Sequence, residues 1–174
     1  MSLLSLVDHT KTDKQSRHHY LSVYEKLLSS REIHSILEIG IDRGGSIELW
    51  RKAYPTAEIT GIELQADTLQ LQGENLYLYY ETDAYDLQFC SHLQETFDLI
   101  IDDGSHKLQD MKTVLQIYSQ YLSKTGLLIL EDISNDSWRQ ELLSSTPLDC
   151  SGEFIDNRGI SGVYDSVLYV VQKK

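Results

Sequence analysis

The residue types able to do chemistry gather at the ends of two apolar runs. Phe97–His106 reads FDLIIDDGSH, in which Leu99-Ile100-Ile101 is followed by Asp102, Asp103 and His106. Such a run reads as a short strand buried on both faces, and in an open α/β sheet ligands bind just beyond the carboxyl ends of the strands. A second run, Gly126–Asp132, reads GLLILED and again ends in paired acids. As neighbouring parallel strands, the two would bring Asp103, Glu131 and Asp132 together with His106 one turn away. That arrangement offers hard oxygen ligands for a divalent cation and an imidazole able to act as a base. Without a compensating charge, three such carboxylates would repel one another and raise one another's pKa values. His106 also admits a plainer role, as a cap on the following helix or a support for Asp103.

The elements that must position these groups alternate along the chain. A helix is expected over about 15–30, from Tyr20, Tyr24, Leu27 and Leu28 at helical intervals, and a buried strand over Ser35–Gly40. The turn Asp42–Ser46 leads into a helix over Ile47–Tyr54, closed by Pro55. Strands follow over 57–63 and 75–80, separated by a short helix from about Gln65, then a weak helix over Leu87–Leu93. After the strand at Phe97–Asp102 come a helix over Met111–Leu122, the strand ending in LED, a helix over Ser134–Ser145, and strands over Asp149–Ile155 and Val163–Gln172. The alternation predicts one α/β domain over 1–174, a mostly parallel sheet with helices on both faces. The last two strands, with no long helix between them, predict a closing antiparallel pair.

Glycines lie between the first strand and its helix, in Glu38-Ile39-Gly40-Ile41-Asp42-Arg43-Gly44-Gly45-Ser46, where the backbone must turn sharply and approach a ligand. The dinucleotide fingerprint G-x-G-x-x-G is not met, because Asp42 stands where the second glycine would allow a pyrophosphate in. Glu63, 23 residues after Gly40, ends the second strand, where an acid commonly accepts from ribose hydroxyls. Asp83-Ala84 ends the third, where an adenine amino group can be met. Singly, each of these could be no more than a turn or a solvated strand end; as an ordered set they predict an adenosine-containing cofactor.

Composition narrows the partners. Lys and Arg number 15 against 27 Asp and Glu, a net charge of −12, which disfavours a nucleic-acid partner. No apolar stretch approaches the roughly 20 residues that span a bilayer, and no basic-then-apolar leader opens the chain, so no membrane role and a cytoplasmic location are expected. Cys90 and Cys150, with no CxxC, read as ordinary buried thiols.

The glycine loop, Glu63 and the element order resemble class I S-adenosylmethionine-dependent methyltransferases. More narrowly, Thr12-Asp13-Lys14, His18-x-Tyr20-x-x-x-Tyr24-Glu25, ILEIGIDRGGS (36–46), IDDGSH (101–106), LED (130–132) and YDSVLYV (164–170) resemble the metal-dependent sugar O-methyltransferases of macrolide biosynthesis, with Asp103 and Glu131 28 residues apart as in the family's metal triad. The resemblance implies a Rossmann-like seven-stranded sheet with a C-terminal antiparallel strand. It implies Mg2+, or another divalent cation, on Asp103, Glu131 and Asp132, with His106 as general base. S-adenosyl-L-methionine would be held by Glu38, Gly40, Gly44, Ser46, Glu63, Asp83, Ala84 and Asp102, with His18 and Tyr20 closing over it from the segment 1–30. Asp102 is otherwise free to hold the turn, and Tyr20 with Tyr24 to be core packing. The acceptor would be a sugar hydroxyl with a vicinal partner, on a glycan or glycosylated natural product; catechols, or a non-catalytic adenosine-binding scaffold, are the competing readings. Homo-oligomerisation is left open.

Overall fold

The computed structural model describes residues 2–65, 71–91, 93 and 96–174. Seven strands form one sheet: β1 Ser35–Ile39, β2 Glu58–Ile62, β3 Leu76–Tyr79, β4 Phe97–Asp102, β5 Leu122–Leu130, β6 Cys150–Asp156 and β7 Val167–Lys173. Their order is β3-β2-β1-β4-β5-β7-β6, parallel throughout except β7, which is antiparallel to both of its neighbours. This is the mostly parallel sheet with an antiparallel C-terminal strand expected from the sequence. The helices are α1 Leu3–Leu6, α2 Leu21–Leu28, α3 Gly45–Ala53, α4 Leu87–Cys90, α5 Leu108–Ile117, α6 Trp138–Ser145 and α7 Arg158–Ser161. No helix among the described residues is long and apolar enough to cross a membrane.

Period-two alternation divides the core. Leu99 and Ile101 of β4, with Leu127 and Ile129 of β5, face α1–α3, where Tyr20, Tyr24, Ile47 and Trp50 are buried. Ile100, Leu128 and Leu130 face α5 and α6 through Met111, Val114, Leu115, Tyr118 and Leu142. Strands covered on both sides are largely apolar, and SILEI, FDLIID and LLIL carry only Ser35, Glu38, Asp98 and Asp102 as polar residues. Cys90 and Cys150 are buried free thiols.

Three local differences from the expected elements have physical causes. The N-terminal helix begins at Leu21 and not near 15, because 14–20 turns inward to deliver Lys14, His18 and Tyr20 to the interior, and His19 takes a left-handed φ of 56°. The helix expected to end at Leu122 stops at Ile117 and tightens into a 3-10 turn, Tyr118–Tyr121, leaving Leu122 to open β5. Trp138 starts the next helix four residues late, since Glu131–Ser137 runs as a loop over the sheet's carboxyl end. The short helix expected from Gln65 falls largely on 66–70, and the end of the Leu87–Leu93 helix on His92, outside the described residues.

The two ends of β4 are fixed differently. At its amino end Asp98 Oδ2 accepts from the backbone of His34 and Ser35 at 2.9 and 3.3 Å, and Oδ1 accepts from Ser123 Oγ at 2.8 Å, tying the starts of β1, β4 and β5 together. At the carboxyl end the parallel register sets Ile39, Asp102 and Leu130 level, and the ladder runs one step further as Asp103 N donates to Ile39 O and Glu131 N to Asp102 O. Gly40, Asp103 and Glu131 thus form the next row. Gly40 has φ 78°, and a Cβ there would lie 2.3 Å from the Asp103 carbonyl oxygen.

Gly40→Ala should therefore cost roughly 2–4 kcal/mol in urea unfolding, combining a left-handed alanine with a backbone clash. Gly159→Ala, whose Cβ would meet nothing within 4 Å, should stay within about 0.5 kcal/mol of the parent. Equal midpoints for the two variants would contradict the close approach of β1 to the Asp103 turn.

Candidate active site

A cleft of about 830 Å³ opens over the carboxyl ends of β1–β5 and is roofed by residues from His9 to Arg17. Its size is that of a cofactor or small-molecule site. One half is walled by Ile39, Gly40, Ile41, Ser46, Glu63, Asp83 and Ala84; the other by Asp103, His106, Asp132 and Asp165. Gly45 lets the roof settle, because a Cβ there would fall 2.3 Å from the Lys11 carbonyl oxygen.

In the first half, Glu63 is already at work. Its Oε2 accepts from the backbone N–H of Ile41 and Asp42 at 3.1 and 3.0 Å, and Oε1 from Gln65 N at 3.0 Å. A carboxylate has about four acceptor sites, so these bonds pin the glycine loop and leave capacity for a ligand hydroxyl. Asp83 and Ala84 line the same wall, Asp83 Oδ1 capping Tyr85 N at 2.9 Å. Gly44, expected at the ligand, adopts φ 70° and serves the turn; it does not line the cleft.

Four further residues expected to touch the cofactor are turned elsewhere. Glu38 is fully buried, accepts from Trp50 Nε1 at 2.9 Å, and stands 3.3 Å from Lys14 Nζ. Asp102 is buried beneath Tyr85, whose hydroxyl donates to its Oδ1 at 3.0 Å and accepts from Ser105 N at 2.9 Å. Gly104 makes room for that hydroxyl, which would lie 2.3 Å from a Cβ there. His18 stacks on Tyr20, with Nδ1 2.9 Å from Ser166 Oγ and 3.4 Å from Asp132. Tyr20 donates to Asp132 Oδ1 at 2.8 Å. These side chains support the acidic half from behind and do not line the cleft. An acid near a strand end tells nothing of which way its side chain is drawn, and here the Trp50 indole draws Glu38 inward and the Tyr85 hydroxyl Asp102.

The acidic half separates the consecutive residues of LED. Glu131 is buried, its Oε2 accepting from Lys14 Nζ at 2.8 Å and its Oε1 from the Tyr24 hydroxyl. Asp132, at a left-handed φ of 58°, swings out to the cleft. Asp103 Oδ2 accepts from Lys14 Nζ at 2.7 Å, while its Oδ1 lies 3.8 Å from His106 Nε2. His106 has the same left-handed turn, at φ 53°. Ligand atoms of Asp103, His106 and Asp132 lie within 4.8 Å of one another, as do those of His18, Asp132 and Asp165. Glu131 belongs to neither group: Asp132 faces the cleft, Asp103 is shared between the cleft and Lys14, and Glu131 faces Lys14 and Tyr24.

Lys14 is the residue of this cluster that strand reasoning does not single out. It is 1% exposed and holds three carboxylates. Burial alone would strip its proton, but the fields of Asp103, Glu131 and Glu38 prevail and hold its pKa well above the lysine range. Burial likewise pushes Asp132 up, reinforced by Asp103 and opposed by His18. For His18 burial works against the charged form, but Asp13, Asp132 and Asp165 together raise its pKa. The available signal was an imbalance: Glu38 and Glu131 sit in apolar strands with no basic residue beside them, so their cation had to arrive from elsewhere in the chain.

No protein-family model matches the chain. It is 28% identical over 131 residues to mycinamicin VI 2''-O-methyltransferase of Micromonospora griseorubida, covering 67% of this chain and 31% of that protein. It is 27% identical over 113 residues to L-olivosyl-oleandolide 3-O-methyltransferase of Streptomyces antibioticus, covering 59% and 29%. The chain thus matches about a third of the length of these curated relatives. Among solved structures it is similar to the MycE methyltransferase of mycinamycin biosynthesis, in complex with Mg and SAH, with a TM-score of 0.71, 19% identity, and coverage of 99% of this chain and 55% of that one. It is also similar to SAM-bound CalS10, an amino pentose methyltransferase from Micromonospora echinaspora, with a TM-score of 0.64, 13% identity and coverage of 88% and 89%. The fold is that of the class I methyltransferases.

One ionisation in this site can be read from stability alone. Burial lifts the Asp102 carboxyl to about 6, with the Tyr85 hydrogen bond opposing. Between the unfolded value of 3.8 and about 6, the folded state binds more protons than the unfolded one, so stability falls as pH rises and the full cost is carried above pH 6. Asp102→Asn, assayed in chelator, should lack this fall and gain up to ~3 kcal/mol at pH 7.5 relative to pH 4. Parallel stability–pH curves for parent and variant would show Asp102 to be ionised at no cost.

Proposed function

We propose that this chain is an S-adenosylmethionine-dependent O-methyltransferase domain that acts, with a divalent cation, on a hydroxyl of a sugar carried by a natural product or glycan. The carrying observation is a single cleft with two unlike halves: a glycine turn backed by Glu63, Asp83 and Ala84, and an acidic half of Asp103, Asp132 and His106. The similarity to mycinamicin VI 2''-O-methyltransferase and to L-olivosyl-oleandolide 3-O-methyltransferase supports the acceptor class.

The donor set suits a hard cation. Asp103 Oδ1 and Asp132 face the cleft, and Mg2+ characteristically takes one or two protein carboxylates, leaving its other positions to water and substrate oxygens. Bound there, the cation would supply positive charge that draws in vicinal hydroxyls and lowers their pKa. His106, a nitrogen donor such a cation does not favour, remains the proton acceptor, its side chain 39% exposed to the cleft. In the transfer, the acceptor oxygen forms a bond to the methyl carbon as the carbon–sulfur bond breaks, and the hydroxyl proton passes to His106 Nε2. Glu63 holds the cofactor's ribose hydroxyls, Asp83 and Ala84 its adenine, and the roof from His9 to Arg17 keeps water from the sulfonium.

The test is methyl transfer to a panel of deoxysugar glycosides and catechols, with and without chelator. Transfer to a glycoside that chelator abolishes is expected; Asp103→Asn should abolish it with cofactor affinity within a few-fold, and His106→Ala should lose about 10²–10⁴-fold in rate. Activity that survives both chelator and Asp103→Asn would exclude the cation, and preference for catechols would exclude the sugar. Calorimetry supplies a separate check: Glu63→Ala should weaken S-adenosylmethionine by about 1–3 kcal/mol, and an unchanged affinity would remove Glu63 from the cofactor site.

A further inference from the structure

The turn that presents His106 is fixed by side chains from other elements. The His106 ring lies 3.8 Å from Asp103 Oδ1, beyond hydrogen-bond reach, and is 39% exposed, so it is aimed by the backbone that carries it, at φ 53°. That backbone is anchored through Ser105. Ser105 Oγ donates to Asp110 Oδ2 of α5 at 2.6 Å and accepts from Lys107 N at 3.3 Å, while Ser105 N donates to the hydroxyl of Tyr85 at 2.9 Å. An amide N–H can only donate, so the phenol's one proton goes to Asp102 Oδ1, 3.0 Å away. The buried carboxyl polarises the hydroxyl and strengthens it as an acceptor, and burial together with the charge of Asp102 keeps the phenol protonated. The fit is close, since a Cβ at Gly104 would lie 2.3 Å from the Tyr85 oxygen. Tyr85 itself follows Asp83-Ala84 on the other wall of the cleft, where Asp83 Oδ1 accepts from its backbone N at 2.9 Å.

We propose that Tyr85 is a positioning residue for proton removal: its hydroxyl, braced on Asp102, holds the Ser105 amide and so sets the turn from which His106 reaches the acceptor hydroxyl. This rests on the reading of His106 as proton acceptor above. Tyr85 is then a strut between the two halves of the cleft, tying the segment assigned to the adenine to the turn that carries the base. Small displacements of a reacting group are costly, about 10²-fold in rate for 1 Å, so one lost hydroxyl outside the reacting atoms is enough to be read kinetically.

The experiment is a double-mutant cycle on the single-turnover rate of methyl transfer, with S-adenosylmethionine, Mg2+ and a deoxysugar glycoside that the panel above shows to be accepted. Tyr85→Phe keeps the ring and deletes the hydroxyl. It should lower the rate about tenfold or more, with KM for the glycoside and cofactor affinity within about threefold. In the His106→Ala background the same change should cost less than about threefold, because no base is left to place. A merely structural tyrosine would cost the same factor in both backgrounds, and that result overturns the proposal, as does a smaller loss in Tyr85→Phe or a loss carried by KM. Amide hydrogen exchange followed by NMR gives a readout independent of activity: the Ser105 N–H should exchange about tenfold faster in Tyr85→Phe while those of Leu99–Ile101 stay within about threefold, and unchanged Ser105 exchange overturns the strut. Should Tyr85→Phe not fold, Gly104→Ala, whose Cβ would displace the same hydroxyl, decides by the same cycle and the same amide. A His106→Ala variant that keeps the parent's rate overturns the proton-acceptor reading itself, and the inference with it.

Discussion

The constraint on which the site depends is the desolvation of acids. Glu38, Asp102 and Glu131 are each no more than 2% exposed, and Asp103 and Asp132 stand beside them. Buried carboxylates are costly unless paired and fully hydrogen-bonded, and removing one partner of such a group costs far more than the group contributes as a whole. The solution is a lysine brought 89 residues along the chain to Asp103 and 117 to Glu131, with phenols and an indole bonded to other oxygens of these acids and Glu38 Oε1 left to its ion pair with Lys14. The inward turn of 14–20, the late start of α2 and the burial of Tyr20 and Tyr24 all follow from delivering that one charge.

Parallel register does the rest. Since β1, β4 and β5 run level at Ile39, Asp102 and Leu130, the residues beyond them arrive in one row whatever their chemistry. Direction then depends on backbone: a left-handed φ at Asp132 and at His106 turns those side chains to the cleft, while Glu131, in extended continuation of β5, points to the core. Two adjacent acids thus acquire opposite surroundings, one facing solvent and the other an ammonium.

Much of this was legible beforehand. The sheet followed from apolar runs that admit only buried strands, and the cleft from the clustering of glycine and acids at their carboxyl ends. Residue type and placement point to Asp103, Glu131 and Asp132 with His106; the structure brings ligand atoms of Asp103, His106 and Asp132 within 4.8 Å of one another and turns Glu131 to Lys14 and Tyr24. Glu38, Asp102, His18 and Tyr20, expected at the cofactor wall, lie behind it: strand position fixes the level of Glu38 and Asp102 and not their rotation, which Trp50 and Tyr85, 12 and 17 residues away in the chain, settle. Lys14 was visible only as part of a short motif. Nothing local distinguishes a lysine that will be buried from one that will be solvated; what distinguishes it is the sum of charges it must balance, a property of the whole assembled site.

The two ends of β4 carry acids with opposite duties. Asp98 is satisfied by two backbone N–H groups and two serine hydroxyls, donors that any strand start of this geometry can offer. Asp102 and Asp103 are satisfied by a phenol and an ammonium that other segments must bring. The sheet is therefore riveted at one end by contacts indifferent to chemistry and furnished at the other by contacts that define it. Such a division separates what holds the strands in register from what sets the chemistry: a change of loop, acceptor or counter-ion at the carboxyl end leaves the contacts that register the amino end untouched.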